Sequence, residues 1–314
     1  MKGHIVRMVA GRILVTGANG RIGRILRIAW PQELPAGLQP LWQARGAVPA
    51  GWLRWDMLAE GYGGPPLPGG VVLNLAGVTA GPGARLEANG DLALAACEAA
   101  RQSGARHVFL ASSAAIYGPG EGADLTEERV PRPANPYGLA KARMEQRALD
   151  WQAAQGDGAP GLTLLRIGNV LGSDSLIGGL IGGAKPGHPV VLDPVPGAAG
   201  GPVRSYIGPR SLARVLAQLC VLAASGTALP PILNIAAAPP VAMADLLNAA
   251  GLNWRWGPDN PAVVARVVLA TGRLQRLVAV PPQAGQAAAM IDEWRSLTDE
   301  ATGDQTADQT GEGT

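Results

Sequence analysis

A tyrosine and a lysine four residues apart carry the clearest chemistry of this sequence. Tyr137 and Lys141 stand in a segment whose composition predicts a helix, and at this spacing both side chains project from one helical face. A free phenol, with a pKa of about 10, is a poor acid or base at neutral pH. A lysine ammonium one turn away favours the phenolate and lowers the pKa of the tyrosine. The pair therefore predicts proton exchange between Tyr137 and a substrate hydroxyl or carbonyl group.

A serine precedes this pair at the end of an apolar segment. Ser112 and Ser113 follow residues 107–111, which have the character of a buried strand, and a serine at this strand end can hold the substrate oxygen with which Tyr137 exchanges the proton. This arrangement predicts hydride transfer between the substrate carbon and a nicotinamide. No metal site is predicted, because the two cysteines and the three histidines are scattered without ligand spacing.

A glycine-rich turn near the start of the chain predicts a dinucleotide site. It follows the apolar segment 12–16 and opens a helix predicted over 21–30. Its first glycine permits a tight turn, the second lets the backbone approach a pyrophosphate, and the third lets helix and strand pack closely. The helix N-terminus supplies free N–H groups and the positive end of a dipole. The predicted contacts are Gly17, Asn19, Gly20, Arg21, Ile22 and Gly23.

The end of the second predicted strand indicates which dinucleotide binds. An acid at this place binds the ribose 2′-hydroxyl, whereas an arginine suits a 2′-phosphate. The strand 38–44 ends without an acid and is followed by Arg45, while Arg21 lies inside the glycine turn. We therefore predict NADP as the favoured cofactor, with NAD possible. Asp56 follows at a distance suited to the adenine amino group.

These residues must be positioned by alternating strands and helices. Apolar strands separated by helices predict an α/β fold, with a Rossmann-type doubly wound parallel sheet that is covered on both faces and a smaller C-terminal substrate-binding portion. The predicted strands are 12–16, 38–44, 71–75, 107–111, 162–167 and 232–236, and the predicted helices are 21–30, 84–103, 136–154, 209–223 and 243–250.

The regular alternation weakens after residue 168, which suggests two portions and a tail. We predict a dinucleotide-binding domain over 11–168, completed by 208–236. The substrate-binding portion takes residues 169–207 and 237–297. Residues 298–314 contain acidic but no basic residues, which predicts a disordered acidic tail.

Composition excludes several other classes of protein. The 314 residues are 47% hydrophobic and 16% charged, as in a folded globular protein, and the net charge of +2 gives no basic field for nucleic acid. The chain shows no apolar run of 18 residues, so no membrane span is predicted. Cys97 and Cys220 stand in Ala/Leu-rich stretches and are interpreted as core residues of a protein in a reducing compartment. The predicted location is the cytoplasm.

Four motifs together resemble those of a known enzyme family. They are TGANGRIG, SSAAIYG, YGLAK and LRIGNVLG, and the resemblance covers about residues 11–297. The chain resembles an extended short-chain dehydrogenase/reductase of the NAD-dependent epimerase/dehydratase family. The resemblance implies that Ser113 is the catalytic serine, Tyr137 the general acid/base, and Lys141 the residue that binds the ribose and lowers the pKa of the tyrosine. It also implies that Asn89 supports the lysine through water.

The same resemblance extends to the loops around the ligands. Leu75, Ala76 and Gly77 are similar to the loop that lines the cofactor, and Asn169 belongs to a segment that passes the nicotinamide and the substrate. Arg204 is similar to the arginine that binds the diphosphate of a nucleotide sugar. The residues that follow depart from the family pattern at positions 208–211, which leaves the substrate open. Dimers through a helix pair are common in the family, so a homodimer is expected.

The sequence therefore predicts an NAD(P)-dependent epimerase or ketoreductase acting at a sugar carbon, with a nucleotide sugar as the favoured substrate. A reductase or dehydrogenase of a smaller carbonyl compound without a nucleotide is the first alternative. A non-catalytic NADP-binding sensor is the second. A dehydratase is less favoured, because Ala114 and Ala115 follow the serine where that branch of the family usually has Asp-Glu.

Overall fold

A seven-stranded parallel sheet forms the centre of the molecule. The computed structural model describes residues 11–120, 122–156, 158–178 and 189–309. The strands are β1 (Gly11–Thr16), β2 (Leu38–Ala44), β3 (Leu53–Arg54), β4 (Val71–Asn74), β5 (His107–Ser113), β6 (Gly161–Ile167) and β11 (Ile232–Ile235). Their order across the sheet is β11-β6-β5-β4-β1-β2-β3. This arrangement confirms the predicted α/β fold with a doubly wound parallel sheet.

Helices cover both faces of the sheet. On one face α1 (Arg21–Glu33) packs against α4 (Pro209–Ala224), and α7 (Ala287–Gln309) contacts both. On the other face α2 (Ala88–Ser103) packs against α3 (Pro136–Gln155). Residues such as Val15, Val72 and Leu110 are fully buried between these layers, which explains why their strands are continuously apolar. Two shorter helices, α5 (Met243–Ala250) and α6 (Gly272–Leu277), belong to the second half of the chain.

The order of the strands reverses between β1 and β4, because β2 and β3 lie on one side of β1 while β4 and the later strands lie on the other. Strands β1 and β4 are neighbours, and the Thr16 hydroxyl donates to Asn74 Oδ1 at 2.5 Å. The backbone N–H of Leu75 reaches the Thr16 carbonyl oxygen at 3.2 Å. In open α/β sheets a ligand binds at such a switch point, beyond the carboxyl ends of the strands.

Short strands of the second half complete this edge of the molecule. They pair as three small sheets, and one of them joins the segment after β6 to the segment before α4. These strands are β7 (Asn169–Val170) with β10 (Tyr206–Ile207), β9 (Val203–Arg204) with β12 (Val241–Ala242) and β14 (Arg266–Val267), and β8 (Val190–Leu192) with β13 (Trp254–Trp256). The pairing brings Asn169 and Arg204 to the same region, although 35 positions separate them in the sequence.

Helix bounds differ from the prediction by more than one residue at two places. Helix α1 runs to Glu33 instead of ending before Pro31, because Pro31 lies in the last turn, where the Leu34 N–H still bonds the Trp30 carbonyl oxygen at 2.9 Å. Helix α2 begins at Ala88, four residues later than predicted, because the residues before it form isolated turns. Strand β2 and helix α5 have the predicted bounds.

The predicted disordered tail is wrong for residues 298–309, which continue helix α7. Two acidic residues of α7 hold it to helix α4. Glu293 accepts hydrogen bonds from the Ser211 N–H and hydroxyl, at 2.9 and 2.6 Å, and Glu300 forms an ion pair with Arg210. Residues 179–188 of the predicted substrate portion and residues 310–314 of the tail lie outside the described residues. Within the described part, no helix is long and apolar enough to cross a membrane.

Candidate active site

A cavity of about 380 Å³ lies beyond the carboxyl ends of β5 and β6. The predicted site residues Ser113, Tyr137, Asn169 and Arg204 all line it. The two predicted catalytic groups therefore line the same cavity, and the Ser113 hydroxyl lowers the pKa of the Tyr137 phenol. The structure thus brings together four predicted site residues from distant parts of the sequence.

Local sequence at the start of α3 places Tyr137 against Ser113. Asn135 caps the helix by accepting the Gly138 N–H at 2.8 Å, and Pro136 occupies the first turn. Gly138 is required here because a Cβ at this position would clash with the carbonyl oxygen of Ala115. The missing side chain lets the helix N-terminus approach the turn after β5, and this approach brings the phenol to the serine.

Burial dominates the electrostatics of Tyr137. It raises the pKa of the phenol, while the hydrogen bond with Ser113 and the positive charge of Arg21 act in the opposite direction. The expected lowering of this pKa by Lys141 is not among these effects, and Arg21 is the cation that acts on the phenol. The lowering of this pKa by Lys141 thus stays a prediction, while the charge of Arg21 acts on the phenol.

Lys141 is buried one turn further along α3, with 5% of its surface exposed. Its ammonium donates to the Ala111 carbonyl oxygen at 2.9 Å and contacts the Met144 sulfur at 3.8 Å. Burial lowers the pKa of Lys141 to about 8, although the carboxylate of Glu145 opposes this change. Lys141 can therefore lose its proton in a pH range where an exposed lysine stays charged.

Asn89 is fully buried close to Lys141. Its side-chain amide bonds backbone groups of Val78 and Leu86 at 2.8 to 3.1 Å, so it shapes the loop after β4. A Cβ on Gly77 would stand 3.0 Å from Asn89 Oδ1 and 3.3 Å from the Lys141 nitrogen. Asn89 thus holds the loop that lies against the lysine, and its predicted link to the lysine through water stays a prediction.

The glycine-rich turn forms a cradle that fits a pyrophosphate. Gly17 has a φ of +72°, and a Cβ there would stand 2.6 Å from the Ala76 nitrogen, which only glycine permits. A Cβ on Gly23 would stand 2.5 Å from the Gly17 carbonyl oxygen, so this glycine allows the close packing predicted for it. Helix α1 has no acidic residue in its first turn and no side chain capping its N-terminus. Its first N–H groups are therefore oriented toward the position predicted for the anion.

The predicted ribose contacts do not form one group. Arg21 donates to the Ser173 carbonyl oxygen at 2.6 Å, and its charge acts on the Tyr137 phenol. Arg45 is exposed after β2. Asp56 lies in the turn after β3, where its carboxylate accepts the Leu58 N–H at 3.1 Å. The NADP prediction rested on the guanidiniums of Arg21 and Arg45, and only Arg45 lies near the end of β2.

Arg204 reaches the cavity from strand β9. Its guanidinium donates to the carbonyl oxygens of Val203 and Val264, at 2.9 and 2.6 Å. Burial lowers the pKa of Arg204, and among the described residues no carboxylate forms an ion pair with it. The N–H of Asn169 bonds the carbonyl oxygen of Ser205, the residue next to Arg204, at 3.0 Å. A cation without an acidic partner on a cavity wall can bind an anionic group of a ligand.

Comparison with known proteins agrees with this geometry. The family model described as the NAD dependent epimerase/dehydratase family matches residues 69–235, more than half of the chain. The chain belongs to this family. Its membership confirms the resemblance stated above and makes the protein an NAD(P)-dependent enzyme that uses a nicotinamide dinucleotide. The comparison with the curated proteins gave no match.

Solved structures of epimerases share the fold of this family member. UDP-glucose 4-epimerase of Thermus thermophilus, in complex with NAD, is 25% identical, with a TM-score of 0.65 over 90% of this chain and 99% of that chain. The Stenotrophomonas maltophila enzyme, with bound NAD and formylated UDP-arabinopyranose, is 17% identical, with a TM-score of 0.72 over 93% and 99%. The Bifidobacterium longum enzyme, in complex with NAD+ and UDP, is 17% identical, with a TM-score of 0.68 over 92% and 99%.

Sequence reasoning missed a set of buried polar residues behind the cavity. Glu145 and Arg166 form an ion pair at 2.8 Å with 4% and 3% of their side chains exposed, and the Ser112 hydroxyl donates to the same carboxylate. Two signals were present in the sequence. Glu145 continues the four-residue spacing of Tyr137 and Lys141, and Arg166 is a single charge within an apolar strand. Among the described residues, these polar groups form no cluster of the kind that holds a metal ion.

Proposed function

We propose that this enzyme is an epimerase that inverts a hydroxyl-bearing carbon of a nucleotide sugar, with Tyr137 as the general acid/base. The observation that carries the proposal is the shared cavity. Ser113 and Tyr137 both line it. The guanidinium of Arg204, which has no acidic partner among the described residues, lines the same cavity. A proton-transfer group and an anion-binding group are therefore available to one ligand.

The catalytic roles follow from this placement. The sugar hydroxyl lies between the Ser113 hydroxyl and the Tyr137 phenol. The phenolate form of Tyr137, which Ser113 and the charge of Arg21 favour against the effect of burial, accepts the proton of that hydroxyl as the carbon loses a hydride. The bound nicotinamide ring supplies the acceptor for that hydride and later its source. Ser113 holds the carbonyl oxygen of the oxidised sugar. Tyr137 returns the proton when the hydride is returned to the other face of the carbon, so the overall reaction consumes no cofactor.

Arg204 supports a diphosphate-bearing substrate. A guanidinium forms bidentate hydrogen bonds to phosphate oxygens, and partial burial strengthens such contacts. The similar protein of Thermus thermophilus is a UDP-glucose 4-epimerase, which agrees with a substrate of this class. A smaller anionic carbonyl compound would use the same guanidinium, and the experiment below separates the two substrates.

We propose NAD as the cofactor, in place of the NADP favoured by the sequence. Arg21 is directed to Ser173, which removes half of the basis for a 2′-phosphate site. The similar UDP-glucose 4-epimerase of Thermus thermophilus is a complex with NAD. Titrating the purified protein with NADH and with NADPH, followed by nicotinamide fluorescence, tests this choice. Tighter binding of NADPH would restore the sequence-based prediction.

A homodimer remains our proposal for the assembly. Helices α2 and α3 pack against each other on one face of the sheet, and they carry exposed residues such as Leu139 and Arg101. Light scattering coupled to gel filtration measures the mass of the particle. A mass of one chain at micromolar concentration would contradict the proposal.

Turnover of defined substrates tests the proposed reaction. The protein is incubated with NAD and, in separate reactions, UDP-glucose, UDP-galactose or UDP-N-acetylglucosamine, and the sugar products are followed by proton NMR. We expect an epimer to form from at least one of them, and Tyr137→Phe to lower its kcat by at least about 100-fold. Tyr62→Phe is the matched control, since its phenol bonds the Pro65 carbonyl oxygen and does not line the cavity.

The outcomes separate the candidate functions. Net reduction of a free carbonyl compound with no epimer from any nucleotide sugar would favour the smaller substrate. Binding of the cofactor with no turnover in either panel would favour a sensor. Full activity of Tyr137→Phe would contradict the acid/base role while leaving the family membership intact.

A further inference from the structure

The buried ion pair behind the cavity has more partners than a simple structural contact needs. Arg166 donates to both carboxylate oxygens of Glu145, at 2.8 and 3.2 Å, and also to the Tyr117 phenol oxygen at 2.9 Å. It further donates to the Glu127 carbonyl oxygen at 3.1 Å, and its guanidinium lies 4.8 Å from the centre of the Tyr117 ring. Ser112 donates a further hydrogen bond to the Glu145 carboxylate. Both charges of the pair are thus satisfied inside the protein.

This pair connects the elements that carry the catalytic groups. In the sheet, Ser112 of β5 is directly opposite Arg166 of β6. Ser112 stands between Ala111, whose carbonyl oxygen receives the Lys141 ammonium, and Ser113. On helix α3, Glu145 lies one turn beyond Lys141. The ion pair therefore ties helix α3 to β5 and β6 close to Ser113 and Lys141.

Stability alone is a weak reason for such a pair. Removing two charges from water costs several kcal/mol per ion, and apolar residues of similar volume are often equally or more stable at buried sites. Because burying this ion pair is costly, the pair is better explained by the groups that it holds in place. The groups that it holds here are the ones that surround the reacting oxygen.

We propose that Glu145 and Arg166 are positioning residues, which hold the Lys141 ammonium and the Ser113 hydroxyl in the arrangement that the reaction requires. The inference rests on the proposed function, because it takes Lys141 and Ser113 as parts of the active site. It adds that the balance of charge in this pair acts on Lys141. Neither Glu145 nor Arg166 lines the cavity itself.

The charges near Lys141 define the expected effect. The charged and titratable groups around Glu145 are Lys141 on its own helix, Arg166 on β6, Tyr117 in the turn after β5 and Glu127 in the following loop. The Glu145 carboxylate favours the charged ammonium and so raises the pKa of Lys141. Arg166 neutralises that carboxylate. Removing Glu145 should therefore lower the pKa of Lys141, whereas removing Arg166 should raise it.

NMR of labelled lysine provides a direct measurement, because the chain contains only three lysines, Lys2, Lys141 and Lys185. The protein is labelled with lysine carrying ¹³C at Cε, and Lys141→Met assigns its signal in a pH titration. We expect Glu145→Gln to lower the pKa of Lys141 by about one pH unit and Arg166→Met to raise it by a similar amount. The double variant should return toward the wild-type value. Thr163→Val, a buried change lower on β6, is the matched control and should leave the titration unchanged.

Turnover adds a second readout, measured with whichever nucleotide sugar of the proposed panel is converted. Glu145→Gln keeps an acceptor for Ser112, so we expect it to fold and to lower kcat at least about tenfold with little change in KM. If Arg166→Met does not fold, the measurements on Glu145→Gln alone test the positioning role. An unchanged Lys141 titration or unchanged kcat in that variant would overturn the proposal. Because the titration needs no substrate, failure of the epimerase assignment would still leave the positioning of Lys141 measurable.

Discussion

Two arginines near the cavity have opposite surroundings. Arg166 is enclosed behind the site and bonds a carboxylate, a phenol and a backbone carbonyl. Arg204 lies on the cavity wall and bonds only backbone carbonyl oxygens among the described residues. The first charge is satisfied within the protein and fixes neighbouring elements. The second retains donors for an anionic ligand. Pairing, more than burial, thus distinguishes a structural cation from a binding one.

The largest expected effect comes from breaking the enclosed pair. Arg166→Met leaves the Glu145 carboxylate buried without its main partner, and we expect the free energy of unfolding to fall by about 3–5 kcal/mol. Urea unfolding followed by circular dichroism measures this loss. The double variant with Glu145→Gln should recover a large part of it. A loss below about 1 kcal/mol in the single variant would show that the pair is not tightly coupled.

Lys141 is a buried cation that differs from both Arg166 and Arg204, because it can lose its proton and become neutral. Its pKa is about 8 in the folded protein and near 10.5 when exposed, so the unfolded chain binds more protons between these values. The folded state should therefore gain stability from this group as the pH rises through that window, by at most about 3 kcal/mol. Comparing urea unfolding of the wild type and Lys141→Met at several pH values isolates the contribution. Parallel curves for the two proteins would contradict it.

A smaller effect, on binding instead of stability, is expected at Arg204. Arg204→Leu removes the guanidinium and, among the described residues, leaves no acidic partner behind, so the unfolding free energy should change by less than about 1 kcal/mol. Affinity for UDP should fall about 10- to 100-fold, as expected for the loss of charged hydrogen bonds. Isothermal titration calorimetry measures the affinity. If stability falls as much as in Arg166→Met, the distinction between the two arginines is wrong.

The smallest effect on the free energy of unfolding is expected at a surface ion pair, which serves as the reference for the variants above. Arg147 forms an exposed ion pair with Asp91 at 2.8 Å. Arg147→Gln should change the unfolding free energy by no more than about 0.5 kcal/mol, and less at high salt. The same urea experiment with and without about 0.5 M sodium chloride, which shortens the Debye length severalfold, provides the check. A loss of unfolding free energy comparable to that of Arg166→Met would mean that a surface ion pair stabilises this protein as much as the buried pair does.

Local patterns in the sequence were sufficient to predict the sheet and the helix that carries Tyr137, whereas the choice of Ser113 rested on the resemblance to the family. The apolar runs of β1, β4 and β5 report burial directly, and Asn135 with Pro136 marks a helix start. The Glu145–Arg166 pair could not be predicted in this way. It depends on which strands are neighbours and on the register that puts Ser112 opposite Arg166. The direction of a side chain could not be predicted either, since the sequence does not show that Arg21 donates to the Ser173 carbonyl oxygen.

The contact between α7 and α4 has a consequence for how the protein is made. Helix α4 packs on α1, yet the Ser211 N–H in its first turn is bonded by Glu293, 82 positions later in the chain. During synthesis this helix emerges from the ribosome long before its partner does. The hydrogen bonds between Ser211 and Glu293 therefore cannot form until residue 293 has been added. A pause in translation between these two segments would expose an unfinished surface to chaperones and proteases.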